Sequence, residues 1–430
     1  MSSWRESLAI YLRPKLIAVL LMGFSSGLPL PLTFGTLTFW LAEAGVSRTT
    51  IGFLTLVGTA YSLKFLWAPL VDRLPLGALT RSLGRRRGWA LAVQLPLAVA
   101  ILALGFTDPR VDPWMTAMVA VVIAFLSATQ DIVIDAYRIE LLAPAEQGAG
   151  AAATQWGYRI GMIVSSAGAL YAAEFGGWRT AFAIMAGFML VGMVTIWSTQ
   201  EPVGNAVDMR QATSDAPGAR LAAWLATAVM EPFRDFLTRP GWWAIVVFIV
   251  LYKFGDALAG VMANPFYVAM GFTRVEVASI SKIFGVVATM AGVGAGGLLV
   301  HRLGLARALV ICGVMQALSN LMYVFQALVG HDVLLLTATI GIENFTGGMG
   351  SAAFVAYLSG LCNIAYTATQ YALLSSLATV GRTTLSAGGG WLSLQLDWPL
   401  FFVVTTLAAL PGVAMAVWVM RRFPPAQRQI

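Results

Sequence analysis

Histidine and cysteine are nearly absent from this sequence, with two of each among 430 residues. Cys312 and Cys362 both fall in apolar segments, which argues against a disulfide framework or a thiolate metal site. His301 and His331 stand at loop edges far from each other and offer no metal-ligand cluster. Charge is scarce too, at 11% of residues, where a soluble domain carries ~25%. Hydrophobic residues reach 58% and the mean hydropathy is +0.77. A soluble chain of this length cannot hide so much apolar surface, so lipid is the solvent for most of it. The first apolar stretch is too long for the hydrophobic region of a cleaved signal peptide and is expected to stay as a span. Neither a catalytic cluster at one membrane face nor an appended soluble domain stands out, so an enzyme is not expected.

Apolar runs of membrane length fall near 16–41, 49–70, 89–107, 114–142, 149–173, 178–199, 241–270, 275–300, 305–329, 332–359, 363–392 and 397–420. They predict an all-α membrane protein of twelve transmembrane helices. The long polar interruption at 201–239 divides them six and six. The expected organisation is an N-terminal six-helix bundle (1–200), a linker (201–239) and a C-terminal six-helix bundle (240–430). Within the linker, Leu221, Trp224, Leu225, Ala228, Val229, Phe233, Phe236 and Leu237 fall close to one helical stripe. They predict an amphipathic helix lying along the inner membrane surface. With the N-terminus inside, 18 of the 27 Lys and Arg lie on the cytoplasmic side and four outside. That asymmetry sets both termini in the cytoplasm. The net charge of +7 is therefore a topology signal and implies no nucleic-acid partner.

The halves echo each other. GAAATQWGYRIGM (150–162) resembles AYTATQYALLSSL (365–377), and FGGWRTAFAI (175–184) resembles QLDWPLFFVV (395–404). Repeated halves are a common build of secondary transporters, whose substrate sites lie between them near the bilayer midplane. The stretch from Gly292 to Gly297 contains the G-x-G-x-x-G spacing of a dinucleotide loop. It sits inside an apolar run with no preceding strand, and small-residue helix packing accounts for it.

An ionisable side chain at the centre of a span costs ~2.5–3.5 kcal/mol or more, so each is a functional candidate. Asp131, Asp135 and Arg138 stand at i, i+4 and i+7 on one face of span four, with Gln130 beside them. That face must point at protein or water. Arg159, in span five at comparable depth, is the expected partner of Asp131. Lys253 and Asp256 form an i, i+3 pair in span seven, Lys282 sits in span eight, and Glu343 lies beside Asn344 near the centre of span ten. Asp131, Asp135, Asp256 and Glu343 are the proton-coupling candidates, because a carboxylate whose cation moves away changes its proton affinity. Lys64 and Arg382 lie nearer span ends, could snorkel, and are read as mainly structural. Gln130, Gln155, Tyr158, Tyr252, Asn264 and Gln370 are candidates to line a polar cavity. Pro29, Pro31 and Pro265 suggest kinked or broken helices.

Asp72-Arg73, a spacer and Gly84-Arg85-Arg86-Arg87 resemble the loop 2–3 signature of the major facilitator superfamily. The resemblance implies a cytoplasmic latch of Asp72 with Arg73, Arg85, Arg86 and Arg87, closed when the pore faces out. Beyond the superfamily, GFSSGLPLPLTFGTL (23–37), FLWAPLVDR (65–73), SATQDIVIDAYRIELL (127–142), GYRIGM (157–162) and LYKFGDALA (251–259) resemble the AmpG family of muropeptide permeases. The resemblance implies a proton-coupled importer in the bacterial inner membrane that brings GlcNAc-1,6-anhydro-MurNAc peptides or their disaccharide from periplasm to cytoplasm. Such transport serves peptidoglycan recycling and, in some bacteria, β-lactamase induction. No cofactor is expected beyond the proton gradient, and a monomer in lipid is the expected form. Arg159, Lys253 and Lys282 are then candidates to meet peptide carboxylates, and Trp156 or Tyr158 to stack on a sugar. Facilitated diffusion or exchange of another organic anion, such as a CoA ester or a peptide, is the alternative.

Overall fold

The computed structural model describes residues 9–46, 59–202, 230–386 and 388–423, and these are helical with no strand among them. Eight helices among the described residues are long and apolar enough to cross a membrane, and a further pair, Val333–Leu361 and Ile364–Arg382, bent by 99°, passes the same test together. Each arm of that pair is one span. The helix Pro144–Ser198 runs for 55 residues, about 80 Å at ~1.5 Å per residue, far more than a hydrocarbon core of ~30 Å needs. It is two spans joined where Gly177 takes φ +74°, a left-handed backbone that favours glycine.

The spans are therefore one (Pro14–Glu43), two (59–73), three (Arg85–Leu104), four (Pro113–Leu141), five (147–176), six (178–198), seven (Trp242–Ala269), eight (Val275–Leu303), nine (Leu305–Val329), ten (Val333–Leu361), eleven (Thr367–Ser386) and twelve (Trp398–Arg422). The first part of the predicted 49–70 run lies outside the described residues, as does most of the predicted amphipathic stripe. Of that stripe the described part is the linker helix Glu231–Leu237, whose Pro232 and Phe236 are buried.

Spans one and seven are broken. Span one bends at Leu28, just before Pro29, and again at Phe34 (φ −124°, ψ −95°). Span seven breaks at Lys253 (φ −107°, ψ 12°), between Trp242–Leu251 and Phe254–Ala269. Pro265, one of the expected kink sites, sits inside a continuous helix. The break falls instead at the charged pair, on Lys253 itself.

Glycine brings particular helices into backbone contact. A Cβ on Gly157 or Gly161 of span five would strike the Leu20 or Phe24 carbonyl of span one. Gly292 and Gly296 of span eight lie on the backbone of Phe345 and Met349 in span ten, so this glycine-rich stretch is a helix-packing surface.

Candidate functional site

One face of the molecule carries the Arg73–Arg87 loop, and here the two halves are locked together. Asp72, at the end of span two, accepts hydrogen bonds from the Ala368 and Thr369 N–H groups (3.1 and 2.7 Å) and from the Thr369 hydroxyl (2.7 Å). These N–H groups belong to the first turn of span eleven, where helical donors have no internal partner and the dipole favours an anion. Arg86 pairs with Asp72 at 2.7 Å and with Glu140 at 2.5 Å, and all three side chains are at most 1% exposed. Arg85 donates to the Asp72 carbonyl (2.7 Å). Arg87 reaches the Ile196 and Trp197 carbonyls at the end of span six, while Glu201 accepts from the Arg86 and Arg87 N–H groups. These contacts hold span three to span six within one half and do not cross between halves.

Further contacts do cross. Arg138 donates to the Ser359 hydroxyl (3.0 Å) and lies over the Tyr371 ring. Tyr11 donates to the Gly294 carbonyl (2.8 Å), and the Trp156 indole donates to the Met290 carbonyl (2.6 Å). Arg73 pairs with Glu231 of the linker helix, which also accepts from the Tyr366 hydroxyl. Gln370 and Arg239 both donate to Asp235. Burial opposes ionisation of Asp235, but these hydrogen bonds outweigh it and hold its carboxyl below the usual range. The linker clamp is thus complete at neutral pH and is lost in acid.

At Gly297, a Cβ would meet the Gly148 carbonyl, the Ala152 methyl and the Tyr11 hydroxyl together. Gly297→Leu is therefore expected to wedge this face open. In a Cys312→Ser background, maleimide labelling of Cys362, 5% exposed when the face is closed, should rise several-fold. Unchanged labelling would show that the seam tolerates the wedge.

Behind this seal lies a cavity of about 490 Å³. Gln155 and Arg159 line it from span five, and Lys253, Asp256, Glu343 and Arg382 line it from spans seven, ten and eleven. Lys253 is fully committed. Its ammonium has three protons and three acceptors: Gln316 Oε1 (3.1 Å), the Gly347 carbonyl (3.2 Å) and Asp256 (3.4 Å). Glu343 accepts from the Asn344 amide (2.8 Å), which is held in turn by Ile340.

The acids of span four form a separate centre. Asp131 accepts from the Ser26 hydroxyl of span one, and Asp135 lies 3.7 Å from Arg138. The cation in the field of both acids is Lys64. The expected Asp131–Arg159 pair is therefore corrected: Arg159 faces the cavity, and Lys64, read as structural, faces the acids. Lys64 begins a short 3₁₀ turn, Lys64–Leu66, within span two, and is half-buried. Asp131 and Asp135 keep partial exposure while Ile132, Val133 and Ile134 between them are buried. Neither acid is among the residues that line the cavity.

The remaining predicted residues scatter. Tyr158 stands beside Asp131 and Tyr61. Gln130 is buried and donates to the Ser25 carbonyl. Tyr252 packs on Phe354 and donates to the Leu309 carbonyl, so it serves helix packing and does not line the cavity. Asn264 is exposed, away from the cavity. Gln370 belongs to the linker clamp, bound to Pro232 and Asp235. The Lys282 side chain lies outside the described residues. Arg382, expected to be structural, lines the cavity. Sequence reasoning missed Glu140, Glu201 and Glu231. Their positions at span ends look like ordinary solvated charge, and only their partners mark them.

The model of the Major Facilitator Superfamily matches residues 16–342. The anhydromuropeptide permease of Escherichia coli (strain K12) is 42% identical over 413 residues, which cover 95% of this chain and 80% of the permease. Putative transporter AmpG 4 of Rickettsia conorii is 34% identical over 408 residues, covering 94% of this chain and 96% of the relative. Two solved structures share the fold. The proton:xylose symporter XylE bound to 6-bromo-6-deoxy-D-glucose has a TM-score of 0.61 at 13% identity, covering 98% of this chain and 96% of its own. The E. coli fucose:proton symporter has a TM-score of 0.66 at 12% identity, covering 95% and 99%. Named permeases and transporters are a non-enzymatic class. Twelve spans in two halves, joined by a carboxylate latch, agree with these likenesses: the chain is a multi-pass membrane transporter of the major facilitator superfamily and belongs to its AmpG family.

Proposed function

We propose that this protein imports anhydromuropeptides, GlcNAc-1,6-anhydro-MurNAc with or without peptide, by alternating access driven by the proton gradient. One observation carries it: a cavity lined from both halves lies behind a sealed basic face, in a chain 42% identical to an anhydromuropeptide permease over 95% of its length. Basic residues favour the cytoplasmic side, so the sealed face is read as cytoplasmic, with both termini there and the membrane as the bacterial inner membrane. The cavity then takes substrate from the periplasm. It lies within one chain, which supports a monomer as the working unit, with residues 1–200 and 240–430 as the moving bodies and 201–239 as their tether. No bound cofactor enters the cycle.

The latch is built to reopen. When the halves part, Asp72 gives up its three bonds to span eleven, each charge-assisted and worth ~1.5–3 kcal/mol. Arg86 stays with Asp72 and Glu140 in the first half, so no buried carboxylate is stranded. Water takes over the first-turn N–H groups of span eleven. Substrate and proton need only tip a balance of a few such bonds.

Span four on one side, and spans seven and ten on the other, hold their acids in different settings, which supports a division of labour. Asp131 and Asp135, beside Lys64, form the proton centre, and Asp256 and Glu343 stand where a solute would touch them. Uptake of labelled anhydromuropeptide into vesicles, with and without a protonophore, tests the proposal. Accumulation abolished by the protonophore is expected. Uptake of no anhydromuropeptide rejects the substrate, and uptake indifferent to the protonophore rejects the coupling and favours facilitated diffusion or exchange of an organic anion.

A further inference from the structure

The geometry points to a carboxylate subsite in the cavity, formed by Arg159 of the first half and Arg382 of the second, with Gln155 beside Arg159, so that a bound anionic substrate bridges the halves. This rests on the muropeptide proposal above and names the part of the substrate that is gripped.

Three cationic side chains line the cavity, but they are not equivalent. Lys253 has spent its protons on Gln316, Gly347 and Asp256. Among the described residues, neither Arg159 nor Arg382 has a carboxylate within 4.0 Å or a hydrogen-bond acceptor. Each guanidinium presents a planar fork of five donors matched to a carboxylate. An independent observation points the same way. The Gln155 amide nitrogen is buried without any acceptor, and Gln155 precedes Arg159 by one helical turn on the cavity face. Buried donors are normally satisfied, and an orphan facing a cavity marks the place of an absent acceptor. The cavity's carboxylates, Asp256 and Glu343, bond to Lys253 and Asn344 and lie in the field of Arg382 without contacting it. Gln155, Arg159 and Arg382 thus line the cavity with donors that no protein acceptor takes up.

The two arginines come from different bodies of the transporter, span five and span eleven. Without an anion no contact joins the two guanidinium groups. With one, the carboxylate neutralises both and ties the halves together, which makes substrate binding and closure a single event. A muropeptide meets the requirement through its peptide carboxylates or, without a peptide, through the lactyl carboxylate of its muramyl sugar.

The test uses the full chain, purified in detergent, with binding followed by intrinsic tryptophan fluorescence or calorimetry. The probes are an anhydromuropeptide with free carboxylates and the same compound with each carboxylate converted to a carboxamide. The carboxamide is expected to bind the unmodified protein at least tenfold more weakly. Arg159→Gln and Arg382→Gln should each lower affinity for the free acid about tenfold or more and abolish the preference. Arg382→Lys, which keeps the charge and loses the fork, should retain the preference at reduced affinity and so separates subsite loss from misfolding. Equal binding of both probes by the unmodified protein overturns the subsite while leaving muropeptide transport standing. So does a preference that survives Arg382→Gln. Binding of neither probe overturns the muropeptide proposal itself, and the subsite with it.

Discussion

Vesicles containing Asp131→Asn are expected to accumulate no anhydromuropeptide above equilibrium, while exchange of internal for external substrate continues. The carboxamide keeps the size of the carboxylate and can still accept from Ser26, so the packing between spans one and four survives. What it cannot do is take up and release a proton within the pH range of the cell. Lys64 does not become an isolated buried charge, because Asp135, one turn away, shares its field. Protein should therefore reach the membrane at ordinary levels, and only the coupled step should disappear. Accumulation driven by a pH gradient, set against counterflow in the same vesicles, is the measurement. Normal accumulation by this variant would remove Asp131 from the proton pathway.

The largest expected loss of stability belongs to Arg86. Arg86→Met fills a similar volume but leaves Asp72 and Glu140 without their shared cation in a site from which water is excluded. Removing one partner of a buried pair costs ~3–5 kcal/mol, far more than the pair itself contributes. The thermal midpoint in detergent should fall accordingly. Adding Glu140→Gln should recover part of the loss, since one of the two stranded charges is then gone. A melting temperature unchanged by Arg86→Met would mean that the triad is hydrated in solution.

Much of this architecture was legible in the chain as written. Span limits such as 305–329, and 275–300 against an observed end at Leu303, follow from where apolar runs stop, because an unpaired backbone group or a charge is costly in hydrocarbon. Asp72 and Arg86 were legible as latch candidates through their resemblance to the superfamily's loop 2–3 signature, although the loop here is longer than that pattern. The partner of each buried charge was not legible. Asp131 and Arg159 match in depth when each span is laid out as a straight cylinder. The cation near Asp131 is Lys64, at a point where span two changes to a 3₁₀ turn. Arg382 was assigned to a span end by counting, but its side chain lines the cavity. Gln370 and Tyr252 failed for the opposite reason. Both are polar and inside apolar runs, yet rotation about the helix axis turns them to a neighbouring carbonyl or side chain.

By itself the sequence determined the solvent, the number of crossings, the division into repeated halves and the small set of ionisable groups held within the membrane. These depend on sums along the chain: hydropathy per segment, charge per loop, and the cost of each polar atom in lipid. Only the tertiary structure decided which of those groups meet. Pairing depends on helix rotation, on the breaks at Leu28, Lys64 and Lys253, and on glycine contacts that let particular backbones touch. Such contacts join residues hundreds of positions apart, and no local property of either residue specifies them.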